Sequence, residues 1–162
     1  MEHAIGMPNK ALKIGYDALV SAARRDIDEV TPEGLTELLG SDKIVLIDVR
    51  EIREVERDGR IPGAFHCPRG MLEFCVDPAS PYFQPIFGER RRYVFYCALD
   101  WRSALAAQTV QNMGVPDVVH LKGGFKAWKA AGGAVEVPAK VPALGFLSIS
   151  RKVRSALHQK TT

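Results

Sequence analysis

Tyr93-Val94-Phe95-Tyr96-Cys97-Ala98-Leu99-Asp100-Trp101-Arg102-Ser103 is the stretch on which the reading of this chain turns. Residues 93–96 are an unbroken apolar run of the kind found in a strand buried on both faces of a parallel sheet. Cys97 closes the run. Over residues 102–113 the period changes to that of a helix, with Ala104, Leu105, Ala107 and Val110 on one face. Gly114 then suits a C-cap and Pro116 prevents continuation. In open α/β sheets ligands bind outside the carboxyl ends of the strands, where Cys97 stands. A short strand-to-helix loop can curl so that its N–H groups point inward, and the positive end of the next helix completes an anion cradle. A thiol in such a cradle loses its proton more easily, and the thiolate is the nucleophile. Arg102 adds a permanent charge and a fork of donors.

Outward from this stretch, strand and helix patterns alternate. Residues 44–47 (Ile-Val-Leu-Ile) form a second continuously apolar strand, followed by Asp48-Val49-Arg50-Glu51 and a short charged helix to about Arg57. Asp58-Gly59 and Pro62-Gly63 are turn signals, and residues 64–89 are loop-rich, with prolines at 68, 78, 81 and 85. Residues 118–121 form a third strand. Gly123-Gly124 leads into a helix over 125–131 that Gly132-Gly133 closes. Upstream, Thr31 can cap a helix with Pro32 at its first position, running to Leu39 and stopping at Gly40. Residues 8–27 form a first helix, with Pro8 at its start. The alternation predicts an α/β fold with a central, mostly parallel sheet and helices on both faces.

The 162 residues amount to one domain with extensions: an N-terminal helical extension over 1–27, a body over 28–135 and a basic tail over 136–162. Hydrophobic residues make up 46% and charged residues 25%, which argues against wholesale disorder. No apolar run reaches the roughly 18 residues that a membrane span needs, so no integral membrane contact is expected. No secretory signal is visible, and a cytoplasmic address is the default. The net charge of +3 is unevenly spread. Beyond Glu136 there are five basic and no acidic residues, leaving 17 basic and 19 acidic in the rest. The body is therefore slightly acidic, and no nucleic-acid partner is expected. Cys67, Cys75 and Cys97 are an odd number, and no metal-ligand spacing is present, so neither a disulfide framework nor a metal site is predicted.

At this point the sequence resembles the rhodanese-like sulfurtransferases. Residues 46–51 (Leu-Ile-Asp-Val-Arg-Glu) are similar to the first signature of that family. Residues 59–64 (Gly-Arg-Ile-Pro-Gly-Ala) are similar to its second, with Arg60 where the family usually has histidine. Residues 96–103 match its active-site loop and residues 123–128 (Gly-Gly-Phe-Lys-Ala-Trp) its closing motif. The resemblance implies a persulfide mechanism. Cys97 takes the outer sulfur of a donor, thiosulfate or a persulfide (a protein persulfide included), and passes it to cyanide or a thiol. It implies that the N–H groups of Ala98, Leu99, Asp100, Trp101 and Arg102 hold the extra sulfur, that Arg102 orients the anionic end of the donor, and that no cofactor is needed. A non-catalytic rhodanese-like binding module is the alternative. The dual-specificity phosphatases that share the fold have one more residue between cysteine and arginine, a larger ring that admits phosphate. The four residues here suit a sulfur atom.

Several residues carry two readings. Asp100 stands where the family often has glycine; its carboxylate either repels a dianion or folds back to cap the helix that follows. Asp48 and Arg50 are an ion-paired brace, with Asp48 also placed to orient Arg102 or the loop. Arg69 either reaches the mouth of the pocket or is solvated. Trp101 forms the pocket rim or packs at the helix start, and Trp128 belongs to the core. Cys67 and Cys75 are small core residues, and either could resolve a Cys97 persulfide. Arg90-Arg91-Arg92 is read as a solvated turn at the edge opposite Cys97. In the tail, Ile149, Val153, Ala156 and Leu157 share a helical face with basic residues elsewhere. That pattern favours docking on the domain or a homodimer contact through the tail, over an anionic surface.

Overall fold

Five parallel strands form the sheet in the computed structural model, which describes residues 12–139. In chain order the elements are α1 (Tyr16–Asp26), β1 (Asp28–Val30), α2 (Pro32–Leu38), β2 (Ile44–Asp48), α3 (Ile52–Asp58), β3 (Phe65–His66), α4 (Leu72–Val76), β4 (Arg92–Tyr96), α5 (Trp101–Asn112), β5 (Val118–Leu121) and α6 (Gly124–Ala130). The strand order is β1-β5-β4-β2-β3, and every pairing is parallel. Helices cover both faces, as the alternating pattern predicts.

The period of two in each strand divides the core. Ile47, Phe95 and Cys97 face a cluster with Val110 of α5 and Leu72 of α4. Leu46, Val94 and Tyr96 face the opposite cluster, with Leu35 of α2 and Phe125 and Trp128 of α6. β2 and β4 lie in the middle of the sheet and are buried over nearly their whole length. The register pairs Asp48 with Tyr96, so the residues that follow β2 and β4 emerge side by side at one edge.

Local chemistry sets the helix ends. Thr31 Oγ1 accepts from the Gly34 amide at 3.1 Å, and Pro32 opens α2 where its missing N–H costs nothing. α3 carries a capping box: Glu51 and Glu54 satisfy each other's backbone amides. Three expectations need correction. The first helix begins at Tyr16, not Pro8; residues 12–15 are non-helical, residues before 12 lie outside the described part, and Gly15 supplies no side-chain cap. β1 and β3 add to the three expected strands, because a three-residue edge strand with two charged residues and a two-residue strand carry no apolar period. The segment read as loop also contains α4 and 3-10 turns at Arg69–Met71 and Pro85–Gly88. The tail reading, with its dimer contact, falls outside the described residues. No described helix is long and apolar enough to cross a membrane.

Candidate active site

Cys97 follows the last residue of β4 and is 1% exposed. Its sulfur lies 3.6 Å from Ser103 Oγ in the first turn of α5. The loop between them is held from the other face of the sheet. The Phe125 amide donates to the Cys97 carbonyl at 2.8 Å, and the Lys126 amide donates to the Ala98 carbonyl at 3.0 Å. Peptide planes are trans here, so a carbonyl drawn towards α6 sends the next N–H the opposite way. The amides of Ala98 and Leu99 are thereby turned towards the face that carries the sulfur.

Gly123 and Gly124 make this grip possible. Both have positive φ, 72° and 63°. A Cβ on Gly124 would stand 1.9 Å from the Leu99 carbonyl oxygen and 2.6 Å from that of Cys97. Only glycine lets the start of α6 come so close while holding that backbone angle.

Asp100 stands at the N-cap position of α5 but does not cap it through its side chain. Its carboxylate accepts from the Gly123 amide at 3.1 Å and ion-pairs with Arg24 of α1. The expected fold-back is replaced by this bridge between the loop, α1 and the start of α6, and Arg24 opposes the charge expected to repel a dianion.

Arg102 is not free to meet an anion. Its two terminal nitrogens donate to the two oxygens of Glu54 at 2.7 and 2.8 Å, a bidentate pair linking α5 to α3. The Glu54 hydrogen bonds raise the guanidinium pKa further above its ordinary value. In return Arg102 holds the Glu54 carboxyl below the usual carboxylate range. The side chain that orients Arg102 is therefore Glu54, not Asp48. Asp48 is committed to Arg50, which reaches it at 2.7 and 3.0 Å and also donates to the Gly59 carbonyl at 2.7 Å. Both are fully buried, and the guanidinium lies 4.3 Å over the Phe125 ring. The brace reading of the pair holds.

Arg69 sits beside α5, where it pairs with Glu73 at 2.7 Å and reaches Thr109 Oγ1 at 3.2 Å. Leu99 and Trp101 are half exposed at the loop surface, and Trp101 leans on Tyr16 with ring centroids 5.1 Å apart. Trp128 is in the core, donating to the Ala134 carbonyl at 2.8 Å. Cys67 and Cys75 are buried side by side, and the Cys75 thiol, with burial, pushes the Cys67 thiol up. At the opposite edge, Arg91 and Arg92 pair with Glu89 and Asp117. They line an open groove of about 810 Å³ that Cys97 does not border. Among the described residues no group of acidic, histidine or cysteine side chains could hold a metal. Sequence reasoning missed the contacts that Glu54, Ser103 and Arg24 make around the loop. Ser103 follows Arg102 directly and Glu54 completes a capping box, but nothing local marked Arg24.

Comparison with known proteins bears on this geometry. The model of the rhodanese-like domain matches residues 31–131. The chain belongs to the rhodanese-like family. Within that family it is 34% identical over 108 residues to the mouse (Mus musculus) thiosulfate sulfurtransferase/rhodanese-like domain-containing protein 3, covering 60% of this chain and 69% of that protein. It is 31% identical over 133 residues to the dual specificity phosphatase Cdc25 of Arabidopsis thaliana, covering 76% and 88%. A solved structure from Rhodopseudomonas palustris, described as a protein of unknown function and possible tyrosine phosphatase, shares 49% identity and a TM-score of 0.77. That match covers 81% of this chain and all of the other. Rhodanese-like membership thus carries relatives of both kinds, and the site has to separate them.

Proposed function

We propose that this rhodanese-like protein is a sulfurtransferase in which Cys97 carries the sulfur as a persulfide. The observation that supports it most is the loop. It places one cysteine at the carboxyl end of a central strand, and α6 holds its carbonyls so that amides turn to the sulfur's side. With thiosulfate, the Cys97 thiolate attacks the outer sulfur, the sulfur–sulfur bond of the donor breaks, and sulfite leaves with that electron pair. Cyanide or a thiolate then attacks the outer sulfur of the persulfide, and the Cys97 thiolate is restored. Arg102 contributes a cation beside the sulfur, and Glu54 limits how far it turns to an anionic donor. Ala98, Leu99, Asp100, Trp101 and Arg102 supply the amides around the added sulfur. This chemistry needs no metal or organic cofactor, and the partners are a small-molecule or protein-bound sulfur donor and a thiol or cyanide acceptor.

Two other readings have specific support. The phosphatase descriptions among the relatives favour phosphate chemistry, against which stand the four residues between Cys97 and Arg102. The burial of Cys97 and the engagement of Arg102 favour a binding module that does no chemistry. Intact mass after incubation with a panel of sulfur donors, together with an aryl phosphate turnover assay, separates all three. Gain of one sulfur atom, lost in Cys97→Ser, supports the transferase. No gain with any donor supports the module, and turnover of an aryl phosphate supports the phosphatase.

A further inference from the structure

Buried polar groups that sulfur transfer leaves unused converge on Cys97. Ser103 Oγ lies 3.6 Å from Cys97 Sγ and 3.5 Å from His120 Nδ1. On the far side of the ring, His120 Nε2 lies 3.2 Å from Glu29 Oε1, a charge contact without hydrogen-bond geometry, and this buried nitrogen has no hydrogen-bond partner. Ser103 and His120 are fully buried, while the Glu29 side chain is 30% exposed. The sheet register builds the row. β4 sets Phe95 beside His120 and β1 sets Glu29 beside His120, so all three share a face, and Cys97 is the next residue of β4's chain on that face.

The chemistry fixes which nitrogen carries the proton. A carboxylate at Nε2 calls for an N–H there, which leaves the Nδ1 lone pair facing Ser103. The Ser103 hydroxyl then has two acceptors in reach, Nδ1 and the Asp100 carbonyl at 3.2 Å, and can itself accept from the Cys97 thiol. We propose that Ser103 and His120, backed by Glu29, form a proton relay that takes the Cys97 proton as the sulfur reacts and returns it afterwards. The proposal rests on Cys97 being the reacting sulfur. The Cys97 S–H bond breaks and its proton passes to Ser103 Oγ, while the Ser103 proton passes to His120 Nδ1. The sulfur keeps the electron pair as a thiolate, the ring becomes an imidazolium, and nothing is oxidised. Ser103 touches the reacting sulfur; His120 and Glu29 act through it as positioning residues.

The charged groups facing the ring come from three places: Glu29 on β1 and Asp100 in the loop favour its protonation, and Arg24 on α1 opposes it. Burial is the largest influence and holds the imidazole below its ordinary value, so the resting ring is neutral and able to accept. The Glu29 carboxylate stabilises the positive charge that arrives.

The test is the pH dependence of Cys97 alkylation by iodoacetamide in the full chain, read residue by residue by mass spectrometry. Ser103→Ala and His120→Asn are expected to raise the pH midpoint by about one unit, making alkylation about tenfold slower near neutrality with the alkaline plateau unchanged. Glu29→Gln is expected to slow it about threefold. A merely structural role would change the plateau or the melting temperature and leave the midpoint in place. An unmoved midpoint in His120→Asn overturns the relay. If that variant does not fold, Glu29→Gln on its exposed edge strand decides, with an unmoved midpoint again overturning it. Nitrogen NMR of the wild-type ring should show Nε2 protonated; a neutral ring protonated at Nδ1 also overturns it. No sulfur donor enters these measurements. Shifted midpoints without a persulfide would therefore strike the transferase reading alone, and a persulfide with unmoved midpoints would strike the relay alone.

Discussion

Replacing Glu54 by glutamine should release Arg102 towards whatever anion approaches Cys97. The present pair is bidentate, at 2.7 and 2.8 Å, and its side chains are 38% and 21% exposed. Hydrogen bonds to charged groups contribute about 1.5–3 kcal/mol net, but partly exposed ion pairs measure only about 0.2–1 kcal/mol. We take about 1 kcal/mol as the cost of turning Arg102 away from Glu54, which corresponds to about fivefold in rate or affinity. Glutamine keeps a side-chain oxygen for the Glu51 amide, a bond of 2.9 Å, so the capping box survives and α3 stays in place. The assay compares iodoacetate with iodoacetamide, two reagents of similar size that differ in charge, at Cys97. The rate ratio of the anion to the neutral reagent should rise about fivefold in Glu54→Gln, and the thiosulfate KM should fall by a similar factor. An unchanged ratio in a variant that melts like the parent would refute the claim that Glu54 withholds Arg102 from the site.

Gly124→Ala should damage the loop from beneath: the left-handed backbone costs about 1–2 kcal/mol and the overlap with the Leu99 carbonyl about 1–3 more. A fall in Tm of about 4–20 °C with loss of Cys97 reactivity is expected, and a Tm within about 2 °C of the parent would contradict the close contact. Asp100→Gly removes the partner of Arg24 and a negative charge beside the loop, so the thiosulfate KM should fall; an unchanged KM would remove Asp100 from donor selection. Because burial lowers the His120 pKa in the folded state, its contribution to stability is complete above the ordinary value of 6.5 and is lost as the pH falls below it. Chemical denaturation between about pH 5 and 7 should show this slope, and His120→Asn should flatten it.

What could be read beforehand was what repeats or caps. The apolar runs at 44–47 and 93–96 announce buried parallel strands because both faces of the sheet are covered. Thr31-Pro32 announces a helix start because the cap is local chemistry. Cys97 followed by Arg102 marks the site because a cradle loop is short and contiguous. The illegible features are those made by pairing across the sheet or between helices. Glu29 meets His120 only through the β1–β5 register, and Arg24 meets Asp100 only because α1 lies along α5. The pairing of Arg102 with Glu54 is illegible because the partner lies 48 residues away. Edge strand β1 is invisible for a related reason: two of its three residues, Asp28 and Glu29, are charged, so its strand state comes from β5 and not from its own pattern.

The loop is held by elements that differ in what they can afford to change. Beneath it, the α6 amides bond to carbonyls and Gly124 admits no side chain, so the backbone is fixed regardless of what approaches the sulfur. The Asp48–Arg50 pair extends that support. Arg50 ties the end of β2 to Gly59 at the end of α3 and lies against Phe125 of α6, joining the three segments beneath the loop. A buried pair of this kind is weak as a source of stability, because desolvation offsets much of the attraction, but breaking it leaves a charge stranded in the core. Its effect is to make alternative placements of α6 costly. Above the loop the contacts are ionic and partly exposed: Glu54 with Arg102, and Arg24 with Asp100. Such pairs can exchange partners at a cost of about 1 kcal/mol. On the proposed transferase reading, an anion arriving at Cys97 meets a backbone fixed from beneath and a rim of charges that can rearrange, so donor choice would be a property of the rim and sulfur chemistry a property of the floor.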